Sequence, residues 1–189
     1  MVVHLEWIGP DYEQGFEGQK IAVVGYSHYL TPGDPDGEDL TSRMVRSAIA
    51  GDNFPFFDAI GSYFGVLNNA DLYNRALFFN FLPDCVGTPD RRYAHGTNEQ
   101  TERGQARALR LFGKHKPTKV FVFTSKGWSD FPPIREERNE STPLSPEFPH
   151  FTWGTYDVDG HIVSVFGLRH PLYANSDEMR RAVRLILAL

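Results

Sequence analysis

Four polar side chains lie at or just beyond the ends of short apolar runs, and their types define what chemistry the chain could perform. Ser27 and His28 follow Ile21-Ala22-Val23-Val24-Gly25, Asn80 follows Leu77-Phe78-Phe79, and His170 follows the run His161 to Phe166 by a few residues. A carboxamide offers donors and an acceptor side by side, so Asn80 could read the hydrogen-bonding edge of a ligand. Its plainer use is to cap a turn where a strand ends. Imidazoles titrate near neutrality. His28 could therefore act as a general base, and His170 could stabilise negative charge on a departing group, either as imidazolium or as a neutral donor. The plainer use of His170 is a hydrogen bond to a loop carbonyl. Ser27 could form a nucleophile–base pair with His28, His161 or His170, although Tyr29 stands where the second glycine of a Gly-x-Ser-x-Gly elbow would be. The histidines at 4, 28, 95, 115, 150, 161 and 170 show no close pair at ligand spacing, and Cys85 is the only cysteine. No metal and no organic cofactor is expected.

Positioning these groups falls to the elements between them. Ile21 to Val24 is a short apolar run with three β-branched residues, the pattern of a buried strand, so the residues after Gly25 occupy a strand's carboxyl end. In open parallel α/β sheets ligands bind there. Similar runs end in Asn80, in Ser125-Lys126-Gly127-Trp128 and in Arg169-His170-Pro171. Gly25, Tyr26, Ser27, Tyr29 and Arg169 thereby join the candidate ligand contacts. Thr31 to Gly37 is so rich in turn residues that it predicts a loop overhanging the first strand's end. Leu40, Met44, Ala48 and Ile49, closed by Gly51, predict a helix; Phe57, Ile60, Phe64 and Leu67 predict another after Pro55; Ala106, Leu109 and Phe112 mark the face of a third over 99–115. Lys119 to Thr124 is a strand, and Phe131 to His150, with five prolines, an extended connection. Asp157-Val158-Asp159-Gly160 predicts a hairpin turn whose second arm is the last main strand, and Ser176 the N-cap of a closing helix. Strands separated by helices give one domain over 1–189: an α/β chain folded as a three-layer α/β/α sandwich around a central, mainly parallel four-stranded sheet.

Composition narrows the partners. The hydrophobic share of 41% and charged share of 23% are those of an ordinary globular chain, and no apolar run reaches the roughly 20 residues that cross a bilayer. No membrane association is expected. The start Met1-Val2-Val3-His4-Leu5 has neither the basic residues nor the apolar core of a secretory signal, so the expected compartment is the cytoplasm. The net charge of −5 argues against a wholly basic nucleic-acid surface. A local basic face could still form from Arg91, Arg92, Arg103, Arg107, Arg110, Lys114, Lys116 and Lys126.

Taken in order, Gly25-Tyr26-Ser27-His28-Tyr29, Phe78-Phe79-Asn80-Phe81-Leu82-Pro83, the strand and turn Val120 to Trp128, and Arg169-His170-Pro171-Leu172 resemble the uracil-DNA glycosylase superfamily, in particular an uncharacterised bacterial branch. The resemblance implies a uracil-DNA glycosylase-like sandwich that flips a base and cleaves its N-glycosidic bond, with a nucleobase-containing ligand, DNA included, as partner. Such a site needs an aromatic platform, which Tyr29, Phe54 or Phe56 could supply, and an edge reader, for which Asn80 is the candidate. Leu172 or Tyr173 could wedge into the vacated stack. The first motif departs from the family: Tyr26-Ser27-His28 replaces the acidic or amide side chain that orients water, which leaves His28 as base or a site that binds without cleaving.

Overall fold

Side chains alternate between two cores along the strands, and the sheet dividing those cores is wider than the sequence suggests. The computed structural model describes residues 2–30, 33, 35–86, 95–132 and 142–189. Among them the strands are β1 (Trp7–Ile8), β2 (Ile21–Gly25), β3 (Ala76–Asn80), β4 (Lys119–Phe123), β5 (Thr142–Ser145), β6 (Phe148–Val158) and β7 (His161–Leu168). The helices are α1 (Leu40–Ala50), α2 (Pro55–Tyr63), α3 (Asn69–Tyr73), α4 (Asn98–His115), α5 (Ser125–Asp130) and α6 (Ser176–Ala188), with a short 3-10 turn over Pro171–Tyr173. None of these helices is long and apolar enough to cross a membrane.

The strands form one mixed seven-stranded sheet in the order β1-β3-β2-β4-β7-β6-β5. This corrects the expected four-stranded sheet. β3, β2, β4 and β7 do pair in parallel, but β1 runs antiparallel to β3, and β6 and β5 continue antiparallel beyond β7. The widening has a local cause. Asp159 and Gly160 adopt φ of 52° and 78°, positive values of the kind tight hairpins need, and Gly160 N donates to Asp157 Oδ1 at 2.9 Å. The turn returns the chain in register, with Val158 opposite His161, so all of Phe148 to Val158 becomes strand. The prolines of the expected connection hide β5, while the segment 133–141 lies outside the described residues.

On one face Ile21, Val23, Phe78, Phe121 and Phe123 meet Val45 of α1, Phe57 and Ile60 of α2, Leu72 of α3, and Met179, Val183 and Ile186 of α6. On the other, Ala22, Val24, Leu77, Phe79 and Val122 meet Ala108, Leu111 and Phe112 of α4. Gly51 caps α1 at φ 92°, and Thr97 with Gln100 forms a capping box on α4. Three expectations shift. Asn175, not Ser176, caps α6, because its Oδ1 accepts from Asp177 N and Glu178 N. Leu67 is fully exposed, since α2 ends at Tyr63 and Gly65 at φ 75° turns the chain. The inward stripe of α4 is Gly104, Arg107, Ala108, Leu111 and Phe112 rather than Ala106, Leu109 and Phe112.

The N-terminal segment is fastened to α4 through Glu6, whose buried carboxylate accepts from Lys114 Nζ at 3.0 Å and His115 Nε2 at 3.1 Å. Burial pushes this carboxyl up, but a backbone hydrogen bond together with Lys114 and His115 outweighs it and holds the pKa at about 2, below the ordinary 4.5. A depressed acid contributes stability that is present above about pH 4.5 and lost as pH falls toward 2. Glu6→Gln is therefore expected to cost about 2–3 kcal/mol at pH 7. In urea unfolding the gap between the two proteins should close as pH drops from 5 to about 2.5; a gap constant with pH would show that Glu6 acts through packing alone.

Candidate functional site

Gly25 and Asn80 are opposite one another where β2 and β3 end, on the face covered by α1, α2, α3 and α6. A Cβ at Gly25 would collide with Asn80 Oδ1 and come within 3.4 Å of Phe56 Cζ. The glycine thus makes room for a carboxamide. Asn80 is only 6% exposed, and its backbone oxygen accepts from Arg107 Nη1 at 3.0 Å. Its carboxamide hydrogen-bonds no described residue, yet neither amide atom is sealed from solvent. It therefore faces an opening.

Phe56 lies beside that carboxamide, and His170 lies beside Phe56. Phe56 stands in the first turn of α2, begun by Pro55, with its ring centroid 5.5 Å from that of His170 at a tilt of 44°. Leu172 N donates to His170 Nδ1 at 3.2 Å, so the neutral ring keeps its proton on Nε2. Burial lowers the pKa of His170 below its ordinary value, so the ring is neutral at pH 7 and Nε2–H is a donor. Tyr173 lies 6.1 Å from the His170 ring, and both Leu172 and Tyr173 are 64% exposed at the rim.

The remaining candidates go elsewhere. Tyr26 alternates to the opposite face, where its hydroxyl donates to Asp130 Oδ2 at 3.2 Å, accepts from Gly96 N at 3.1 Å, and stacks its ring on Phe81. Trp128 packs on that same face against Gly167 and Phe131. Ser27 Oγ donates to the His28 carbonyl at 3.1 Å; among the described residues no histidine accepts from it, so the nucleophile pair is not assembled. His28 is buried, with Nε2 3.0 Å from Thr41 Oγ1 and its ring edge-on to His4 at 5.3 Å. Burial, reinforced by His4, Arg107 and Arg43, drives its pKa to about 3. His28 thus contacts His4 and Thr41, and no described contact links it to Phe56 or His170. Tyr29 and Arg169 are exposed.

Of the residues that could form a local basic face, Arg110 and Lys116 are exposed, whereas others are engaged within the fold. Arg107 is buried, Arg103 Nη2 pairs with Asp84 Oδ2 at 2.9 Å and Lys114 with Glu6, while Arg91 and Arg92 lie outside the described residues. Sequence reasoning missed Arg107 as the group that holds Asn80. The available signal was an arginine in phase with Gly104, Ala108 and Leu111. It also passed over His4, Asp36 and Cys85, whose ligand atoms lie within 4.8 Å of one another, because separations of 32 and 49 residues obey no spacing rule.

No family model matches this chain, and no curated protein matches it. Among solved structures, the chain is similar to a crystal structure of a domain of unknown function (DUF1537) from Bordetella bronchiseptica, with bound citrate. Identity is 12% and TM-score 0.38, over 87% of this chain and 41% of that one, so the chain spans about two fifths of that structure. The resemblance to uracil-DNA glycosylases is corrected by the first of these findings, since no model of that family matches the chain. The physical reason lies in the motifs themselves: each is a short strand end, and of the first motif only Gly25 meets Asn80, while Tyr26, Ser27 and His28 bond elsewhere.

Proposed function

We propose that the opening bounded by Phe56, Asn80 and His170 receives a planar, hydrogen-bonding heterocycle of the nucleobase class. One observation carries the reading: Asn80 is a nearly buried carboxamide that is positioned through its backbone yet bonded to no described residue. Its amide atoms reach solvent, so a ligand edge presenting a complementary donor and acceptor would take the place of water there. The Phe56 ring offers a face or edge to a flat ligand, and the neutral His170 Nε2–H supplies a donor for an exocyclic oxygen. Binding without cleavage is the reading favoured, because no described contact links His28 to Phe56 or His170 and no ion pair brings a carboxylate to His170 among the described residues. Cleavage of an N-glycosidic bond is the second reading. It is favoured by the fixed tautomer of His170, whose donor could stabilise a base departing as an anion.

Calorimetric titration with uracil, hypoxanthine and xanthine, free and as nucleosides, tests the binding. Base release from single- and double-stranded oligonucleotides carrying the same bases tests the chemistry. At least one base should bind, and Asn80→Ala should weaken it about 10- to 100-fold, the equivalent of one or two lost hydrogen bonds. Release that disappears in His170→Ala would establish the hydrolase. Absence of both binding and release would overturn the assignment.

A further inference from the structure

Away from that opening, three segments distant in sequence deliver three different donor atoms to one point. His4 Nε2 lies 2.7 Å from Asp36 Oδ1 and 3.9 Å from Cys85 Sγ, and all three atoms fall within 4.8 Å of one another. Two of the three are fixed by backbone. His4 N donates to the Pro83 carbonyl at 2.8 Å, two residues before Cys85, and the His4 carbonyl accepts from Arg107 Nη2, so the imidazole and the thiol share one rigid frame. His4 is 1% exposed. Asp36, more exposed, comes from the loop beyond β2, which touches this frame where Leu5 N donates to the Glu38 carbonyl at 2.8 Å.

We infer that His4, Asp36 and Cys85 form a three-ligand site for a divalent cation of the zinc class, independent of the nucleobase reading. An imidazole nitrogen, a carboxylate oxygen and a thiolate are the donor set zinc takes, and three protein ligands leave a fourth position open. Tetrahedral zinc at ordinary bond lengths sets nitrogen and oxygen about 3.3 Å apart and nitrogen and sulfur about 3.6 Å apart. The observed 2.7 and 3.9 Å reach those values when Asp36 withdraws by about 0.6 Å and Cys85 advances by about 0.3 Å. The protons balance. Cys85 releases its thiol proton to solvent, and the proton shared between His4 Nε2 and Asp36 moves to His4 Nδ1, a buried nitrogen with no partner, so no existing hydrogen bond is broken to receive it. The bound ion would clamp the loop carrying Asp36 onto the segment following β3.

The test uses the reduced full-length chain, cleared of metal with a chelator and titrated with cobalt(II). One equivalent should bind and produce the near-ultraviolet thiolate-to-cobalt charge-transfer band. Cys85→Ser and His4→Gln should abolish the band, and Asp36→Asn, a change in an exposed loop that leaves the fold intact by circular dichroism, should weaken cobalt at least about 10-fold. Zinc should displace the cobalt and erase the band. No band at one equivalent in the wild type, a band that survives Cys85→Ser, or unchanged affinity in Asp36→Asn would overturn the site.

Discussion

Gly25→Ala is expected to lower affinity for the bound base by about 100-fold or more while leaving the chain folded. The backbone at Gly25 needs no positive φ, so alanine brings no conformational strain; the whole effect comes from one methyl group. That methyl would lie 2.3 Å from Asn80 Oδ1, too close for both to stay, with Phe56 Cζ 3.4 Å away as its next contact. The carboxamide must swing from its place, and a shift of about 1 Å in a positioning group is enough for a loss of this size. Overpacking at a strand end costs about 1–3 kcal/mol of stability, which a thermal midpoint would register without unfolding at room temperature. Titration of the variant with the base that the wild type binds decides the matter. Unchanged affinity would mean that Asn80 is not the edge reader.

Arg107→Leu is expected to produce the largest loss of stability from one substitution, about 3–5 kcal/mol, or roughly 6–20 °C in thermal midpoint for a chain of this size. Burial lowers the guanidinium pKa to about 10, so it remains charged at pH 7. It donates Nη1 to the Asn80 carbonyl and Nη2 to the His4 carbonyl, and lies 5.7 Å over the Phe79 ring. Leucine fills part of the volume but strands two carbonyls that no water reaches easily. The substitution should also loosen both the base and cobalt, since one side chain anchors the residue proposed to read the former and a ligand proposed for the latter. A destabilisation below about 1 kcal/mol would show that those carbonyls find other donors.

The parallel centre of the sheet was legible because β2, β3 and β4 are continuous apolar runs, as strands covered on both faces must be. The meeting of Gly25 with Asn80 follows from parallel register once those runs are recognised. Other features left little trace. β1 has two residues and α3 has five, too short for any period to show, and β5 sits among prolines. Parity separated the motif residues: Tyr26 and Gly25 are adjacent, so in an extended chain they face opposite cores, and adjacency in sequence became separation in space. Arg107 stands among the candidates for a basic face because composition counts charges without asking which face they occupy. His4, Asp36 and Cys85 meet only through tertiary contacts.

The margins of the sheet bear on how the molecule behaves in a crowd. A long, regular outer strand exposes a ladder of unpaired amides that recruits other chains into aggregates. Here one margin is the two-residue β1, and the other is β5, where Pro143 lacks an amide proton and the pairing slips between Pro143 and Ser145. Among the described residues, neither β1 nor β5 itself presents a run of donors long enough to template an incoming strand.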